Sequence, residues 1–112
     1  MPSGSKLTST KDSARLFAAL GDETRLHLVS RLCAGGPASI ASLAAGSKLS
    51  RQAISKHLRV MEKARLVQRT RHGRESVCHL DPQSLDAAQR SLGIIATQWA
   101  DALGRLRAFV EG

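Results

Sequence analysis

The spacing of apolar residues changes from three and four to two near residue 65. Over residues 50–64 the apolar side chains recur at helical spacing, so one face packs while the other presents Arg, Gln, Ser and Lys. Ser50 precedes the first periodic residue and is the predicted N-cap. Over residues 66–80 the spacing is two and is interrupted at His72-Gly73, which predicts a β-hairpin with a basic tip.

Shorter helical patterns precede the basic helix. Residues 12–20 form one, and Asp22 can cap a second whose predicted buried face includes Leu26 and Cys33. A third, residues 39–45, is joined to the basic helix by a short turn that contains glycine. Two helices joined in this way form a helix-turn-helix, and the hairpin adds a wing. The expected fold is therefore mainly α with a small β-hairpin.

The C-terminal segment, about residues 82–110, is predicted to form one helix, and its apolar residues seven apart make a seam along about 25 residues, or roughly 37 Å. Such a helix is longer than a small core can cover, which favours dimerisation; packing of the stripe on its own domain is the alternative. The predicted dimer interface consists of Leu16, Phe17, Leu85, Leu92, Ile95, Trp99, Leu106 and Phe109.

The excess of basic residues indicates what kind of partner the protein binds. Lys and Arg number 17 against 9 Asp and Glu, a formal net charge of +8, and the excess is concentrated in residues 48–74. A polyanion, double-stranded DNA, is the expected partner. Residues 1–11 are expected to form a flexible arm before a single domain, residues 12–112. Secretory and membrane-spanning apolar runs are missing, so we expect a cytoplasmic protein with no membrane partner.

The exposed helix face and the wing are the candidate DNA contacts. Gln52 can pair bidentately with adenine, and Arg51 with guanine, because both follow the helix start. Wing cations would reach the backbone or the adjacent minor groove. The predicted DNA-binding residues are Ser50, Arg51, Gln52, Ser55, Lys56, Arg59, Arg69, Arg71, His72 and Arg74.

Two strings give the chain a family resemblance: LFAALGDETR at residues 16–25 and SRQAISKHLRVMEKA at residues 50–64. They resemble the ArsR/SmtB family of bacterial winged-helix transcriptional regulators over about residues 12–110. The resemblance implies a homodimeric repressor, commonly an autorepressor, that binds an inverted-repeat operator. Arg65 stands where the family usually has Gly, so either the helix ends differently or a non-glycine residue adopts positive φ.

Metal-sensing relatives carry a Cys-x-Cys pair at the third helix or Asp and His on the last. The third helix here has no Cys or His, and no histidine follows His79. The chain is therefore most similar to the metal-independent branch, with no metal or cofactor expected. No catalytic motif is present, so an enzyme is not expected.

Two alternatives to a metal-free repressor remain open. Cys33 and Cys78 allow a thiol- or metalloid-responsive switch, one form of a sensor gated by a small-molecule effector that the sequence does not name. A non-specific architectural DNA-binding protein is the other alternative, and it predicts binding indifferent to sequence.

Overall fold

The computed structural model describes residues 10–112. Within them the chain is mainly helical with a small antiparallel sheet, as predicted. Of the expected N-terminal arm, residues 1–9 lie outside the described residues, whereas Thr10 and Lys11 belong to the first helix. The elements are α1 (Thr10–Leu20), α2 (Glu23–Gly35), β1 (Ala38–Ser39), α3 (Ile40–Ala45), α4 (Arg51–Lys63), β2 (Val67–His72), β3 (Glu75–Leu80) and α5 (Pro82–Glu111).

Side-chain caps fix where the helices begin. The Asp22 carboxylate accepts from the Arg25 N–H at 3.0 Å, and the Ser50 hydroxyl accepts from the Ala53 N–H at 3.1 Å, so both predicted caps are confirmed. Asp81 caps α5, where Pro82 follows it in the first turn. Caps of this kind satisfy backbone N–H groups that have no partner inside the helix.

The sheet has one strand more than the hairpin that the sequence predicted. Its strand order is β1-β3-β2, with Ala38 paired to Cys78 and Ser39 to Val77. A two-residue strand is too short to show a period of two, so only its pairing reveals it. Ser39 also accepts from the Ser42 N–H at 3.0 Å, so it caps α3 rather than lying inside it.

The core contains residues of α1 to α4, the sheet and the start of α5. It corrects two predictions, the buried face of α2 and the place of Leu16 in a dimer interface. Leu28 and Leu32 are the buried residues of α2, whereas Leu26 is 52% exposed and Cys33 is exposed, contrary to the predicted face. Leu16 is buried in the core of its own protomer and has no surface left for a second copy. Its predicted place in the dimer interface is therefore wrong, while Phe17 keeps part of its surface.

Arg65, just after the end of α4, has φ of 63°. Of the two alternatives that the sequence allowed here, the structure therefore shows a non-glycine residue with positive φ. The Arg65 N–H donates to the Glu62 carbonyl at 2.9 Å and the Leu66 N–H to the Met61 carbonyl at 2.8 Å, which together form a Schellman motif. Buried Ser84 of α5 donates from its hydroxyl to the Arg65 carbonyl. These bonds offset the roughly 1–2 kcal/mol cost of a left-handed residue and fix the direction of the wing.

Helix α5 is covered by its own domain only at its start. Ser84, Ala87 and Ala88 are buried, but every residue from Leu92 onward is exposed. The 30-residue helix is roughly 45 Å long and extends beyond the core. The radius of gyration, 17.5 Å, accordingly exceeds the about 13 Å of a compact domain of this length. Within residues 10–112 no helix has the length and apolarity to cross a membrane.

Candidate nucleic-acid interface

Helix α4 divides into a buried apolar side and an exposed polar side. Ile54, Leu58 and Met61 are all 0% exposed, which holds the helix firmly against the domain. The opposite side carries residues three and four apart that point away from the protein. Its exposed members are Gln52, Lys56, Arg59 and Lys63.

The first turn of α4 is only partly available to a ligand. Arg51 and Gln52 are exposed, as expected of side chains that reach base edges. The Ser50 hydroxyl oxygen accepts from the Ala53 N–H, and its O–H can still donate to a phosphate. Ser55 is half-buried on the side nearest the wing.

His57 connects α4 to the start of α2. Its Nδ1 lies 3.9 Å from the Asp22 carboxylate and 3.4 Å from Arg25 Nη1. The hydrogen bond from the Arg25 backbone N–H lowers the pKa of Asp22; desolvation opposes this, while the charges of Arg25 and His57 reinforce it. Asp22 therefore carries its negative charge beside His57, and the contacts with Asp22 and Arg25 place this histidine between α2 and α4.

The wing presents cations at its tip. Arg71, His72 and Arg74 are all exposed. Gly73, with φ of 62°, begins the two-residue turn that separates paired His72 and Glu75. The geometry brings these side chains to one end of the hairpin, away from the core.

Arg69 differs from the other wing cations and is a correction to the predicted set. Its Nε lies 3.0 Å from Glu62 Oε1, in an ion pair without hydrogen-bond alignment, and its Nη2 donates to the Ser55 carbonyl at 3.4 Å. Arg69 is half-buried, because the wing folds back on α4 at this position. Its charge is used to brace the wing against the helix, so it is not free for DNA.

The two cysteines have different surroundings. Cys33 is exposed on α2, while Cys78 is 0% exposed on β3. Burial raises the pKa of the Cys78 thiol; Arg69 opposes this and Glu62 reinforces it. Because the thiolate is the reactive form, Cys78 is poorly suited to react in the folded protein.

Sequence reasoning missed two arginines of α2. Arg25 Nε donates to the Ala19 carbonyl at 2.7 Å and so ties the end of α1 to α2. Arg31 donates to carbonyls of α3. The only signal was a cation beside the apolar positions of an amphipathic helix, and its partners lie on other elements.

A helix-turn-helix with a cationic exposed second helix and a cation-tipped wing defines a winged-helix DNA-binding protein. Residues 22–69 match the family model described as "Bacterial regulatory protein, arsR family". The chain is 38% identical over 86 residues to the HTH-type transcriptional regulator Rv2034 of Mycobacterium tuberculosis, covering 77% of this chain and 79% of that protein. The chain belongs to the ArsR family and is a DNA-binding transcriptional regulator, not an enzyme.

Solved structures agree with this fold. An ArsR-like transcriptional regulator from Rhodococcus sp. RHA1 is 33% identical, with a TM-score of 0.74 over 88% of this chain and 92% of that one. The homodimeric winged helix-turn-helix DNA-binding domain Mb0332 from Mycobacterium bovis is 22% identical, with a TM-score of 0.62 over 81% of this chain and 80% of that one. The second likeness bears on the fold alone.

Proposed function

We propose that the protein is a homodimeric repressor that recognises an inverted-repeat operator without a bound metal. The observation that carries the proposal is the exposed polar and cationic side of α4, held in place by a wholly buried apolar side. Such a helix suits the major groove, with Arg51, Gln52 and Lys56 near the bases and Arg59 near a phosphate. As a regulator that acts on DNA, it is expected to work in the cytoplasm.

The exposed part of α5 supports dimerisation with a second copy. From Leu92 onward its large apolar side chains stand 39–83% exposed, and a water-facing stripe of that length is unfavourable for a lone protomer. A groove between α1 and α5, lined by Phe17, Ile94 and Ile95 together with polar residues, continues the stripe. The proposed interface contains Phe17, Leu85, Leu92, Ile95, Trp99, Leu106 and Phe109.

Two-fold symmetry would repeat the DNA-binding surface once per protomer. Two copies of α4 would then meet the same face of the duplex about one turn apart, roughly 34 Å. The wing residues Arg71, His72 and Arg74 would reach the flanking backbone or minor groove. Repression, the mode that the family resemblance implies, would follow from occupation of the operator.

The metal-free part of the proposal rests on the sequence, which has no Cys or His on the third helix and no histidine after His79. Among residues 10–112, no three His, Cys, Asp or Glu side chains form a group that could hold a metal ion. The thiol-switch alternative has less support, because Cys78 is buried with a raised pKa and only Cys33 is accessible. If oxidant releases DNA equally from wild type and from the Cys33→Ser, Cys78→Ser double variant, the thiol switch is refuted.

The test is selection of duplexes from a random library by the purified full chain, followed by sedimentation of the protein alone and with the recovered duplex. We expect an inverted repeat with half-site centres about 10 base pairs apart, bound by two protomers. Recovery of sequences with no common pattern would contradict the proposal and favour the architectural alternative. A monomer at micromolar concentration that stayed monomeric on the duplex would contradict the dimer.

A further inference from the structure

Arg31 reaches from α2 to the C-terminal end of α3. Its Nη1 donates to the Leu43 carbonyl at 2.6 Å and its Nη2 to the Ser42 carbonyl at 3.3 Å. The last carbonyls of a helix have no partner within it, and α3 is only six residues long. The guanidinium supplies a partner for the Leu43 carbonyl, adds a second bond to the Ser42 carbonyl, which also accepts from the Gly46 N–H, and complements the negative end of the helix dipole.

The absence of a side chain at Gly46, which follows α3, leaves room for that guanidinium. A Cβ at Gly46 would lie 2.7–2.9 Å from three guanidinium atoms of Arg31. The backbone at Gly46 has φ of −90° and ψ of 15°, a conformation open to other residues. A side chain at Gly46 would therefore displace the guanidinium from its seat, whereas the turn itself accepts other residues.

The segment held in this way leads directly into α4. The Gly46 N–H donates to Ser42 and the Ser47 N–H to Ala44, and only a few residues then separate the end of α3 from Arg51. A short connection transmits any tilt or fraying of α3 to the first turn of α4, where Arg51 and Gln52 must meet base edges within tenths of an ångström.

We propose that Arg31, seated over Gly46, is a positioning residue that sets the base discrimination of α4 without touching DNA. The assignment rests on the proposed role of α4 as the recognition helix. Both terminal nitrogens of Arg31 bond to carbonyls of α3, so we expect its loss to remove no phosphate contact. Its effect should therefore fall on sequence preference, not on the number of counterions released.

The first experiment compares wild type and Arg31→Met on two duplexes, the one recovered by selection with wild type and a scrambled duplex of the same composition. We expect Arg31→Met to lose about tenfold in affinity for the selected duplex and less than about twofold for the scrambled one. The slope of log affinity against log salt should stay unchanged. Arg31→Lys retains the positive charge and one N–H donor group, so it should lose only about threefold in affinity for the selected duplex.

A double-mutant cycle tests the match with Gly46. Gly46→Ala should displace the guanidinium and reproduce the loss of affinity for the selected duplex seen in Arg31→Met. The double variant should bind that duplex as well as Arg31→Met alone does. Gly35→Ala is the matched glycine control, since a Cβ there meets nothing within 4 Å. Arg90→Met, which removes one positive charge from α5, is the matched arginine control.

Hydrogen exchange of the free protein separates positioning from loss of the fold. Residues 43–49 should exchange faster in Arg31→Met and in Gly46→Ala, while the core of α4 keeps its protection. If Arg31→Met does not fold, Gly46→Ala and Arg31→Lys carry the comparison.

The outcomes distinguish this inference from the function on which it rests. A wild type that discriminates between the duplexes, with variants that discriminate equally well, would overturn the role of Arg31 alone. Equal losses on both duplexes, or additive losses in the cycle, would also overturn it. A wild type that binds both duplexes alike would overturn the proposed function together with this inference.

Discussion

Helices α4 and α5 each leave one side uncovered, and the two uncovered sides have opposite chemistry. On α4 the apolar side is wholly buried and the free side carries Gln52, Lys56 and Arg59. On α5 the free side after Ser91 is largely apolar, with Trp99 66% exposed.

The difference indicates what each helix is for. Water solvates cations well, so an exposed cationic side costs little and attracts a polyanion. Water solvates an apolar stripe poorly, so the stripe favours another protein surface. Four substitutions test this contrast, in order of decreasing expected effect.

Trp99→Glu would place a charge in the middle of the α5 stripe. We expect the dimer dissociation constant to rise at least about thirtyfold, since a central aromatic anchor contributes about 2–4 kcal/mol, and operator binding to fall with it. Sedimentation equilibrium measures the first effect and titration of the operator the second. Gln89→Glu, the same charge nearer the start of α5, is the control; an unchanged dimer in Trp99→Glu would refute the role of the stripe.

Gln52→Ala removes one candidate base contact from α4 and leaves its charge unchanged. Base preference at one position of each half-site should relax by about 1–3 kcal/mol. Arg71→Ala on the wing is the contrast: it should weaken all sequences alike and lower the salt slope by about one. Binding selections with each variant give both results, and an unaltered preference in Gln52→Ala would remove that residue from base readout.

Arg69→Met tests whether this wing cation braces the fold. Because Arg69 pairs with Glu62 and donates to Ser55, we expect about 1 kcal/mol loss in the free energy of unfolding, with the salt slope of binding unchanged. Urea unfolding measures the loss, and a cycle with Glu62→Gln isolates the ion pair. A lower salt slope at unchanged stability would restore Arg69 to the DNA contacts.

Asp22→Asn tests the charge that α2 presents to His57 on the flank of α4. Asparagine keeps the cap but loses the charge, so only the charge-dependent stability is removed. The pKa of Asp22 is lowered from 3.8 by the fold, so its stabilisation is present above pH 3.8 and is lost as the pH falls through the folded value. The stability difference between wild type and variant should therefore be largest at neutral pH and vanish in acid.

Urea titrations from pH 7 to pH 2.5 measure that difference. Asp101→Asn on exposed α5 provides the same chemical change as a control. A difference between wild type and Asp22→Asn that did not vary with pH would mean that the Asp22 charge contributes nothing to the flank of α4.

Most of the fold was predictable because helix starts and periods depend on near neighbours. The caps at Asp22 and Ser50 use N–H groups three residues away, and the two sides of α4 follow from spacings of three and four. The change to a period of two gave the hairpin in the same way. The positive φ of Arg65 remained one of two alternatives, because its support comes from Ser84 on a distant helix.

By itself, the sequence determined the order of the helices and the hairpin, the cationic side of α4 and the excess length of α5, since each is a property of contiguous residues; the two-residue strand β1 emerged only from its pairing with β3. Tertiary structure alone decided that Arg69 braces the wing, that Leu16 lies in the core, that Cys33 and Leu26 face outward and that Arg31 clamps α3. An amphipathic period fixes which residues share a side, but the direction in which that side faces depends on elements distant in the chain. A cation likewise is free or engaged only according to what the fold places beside it.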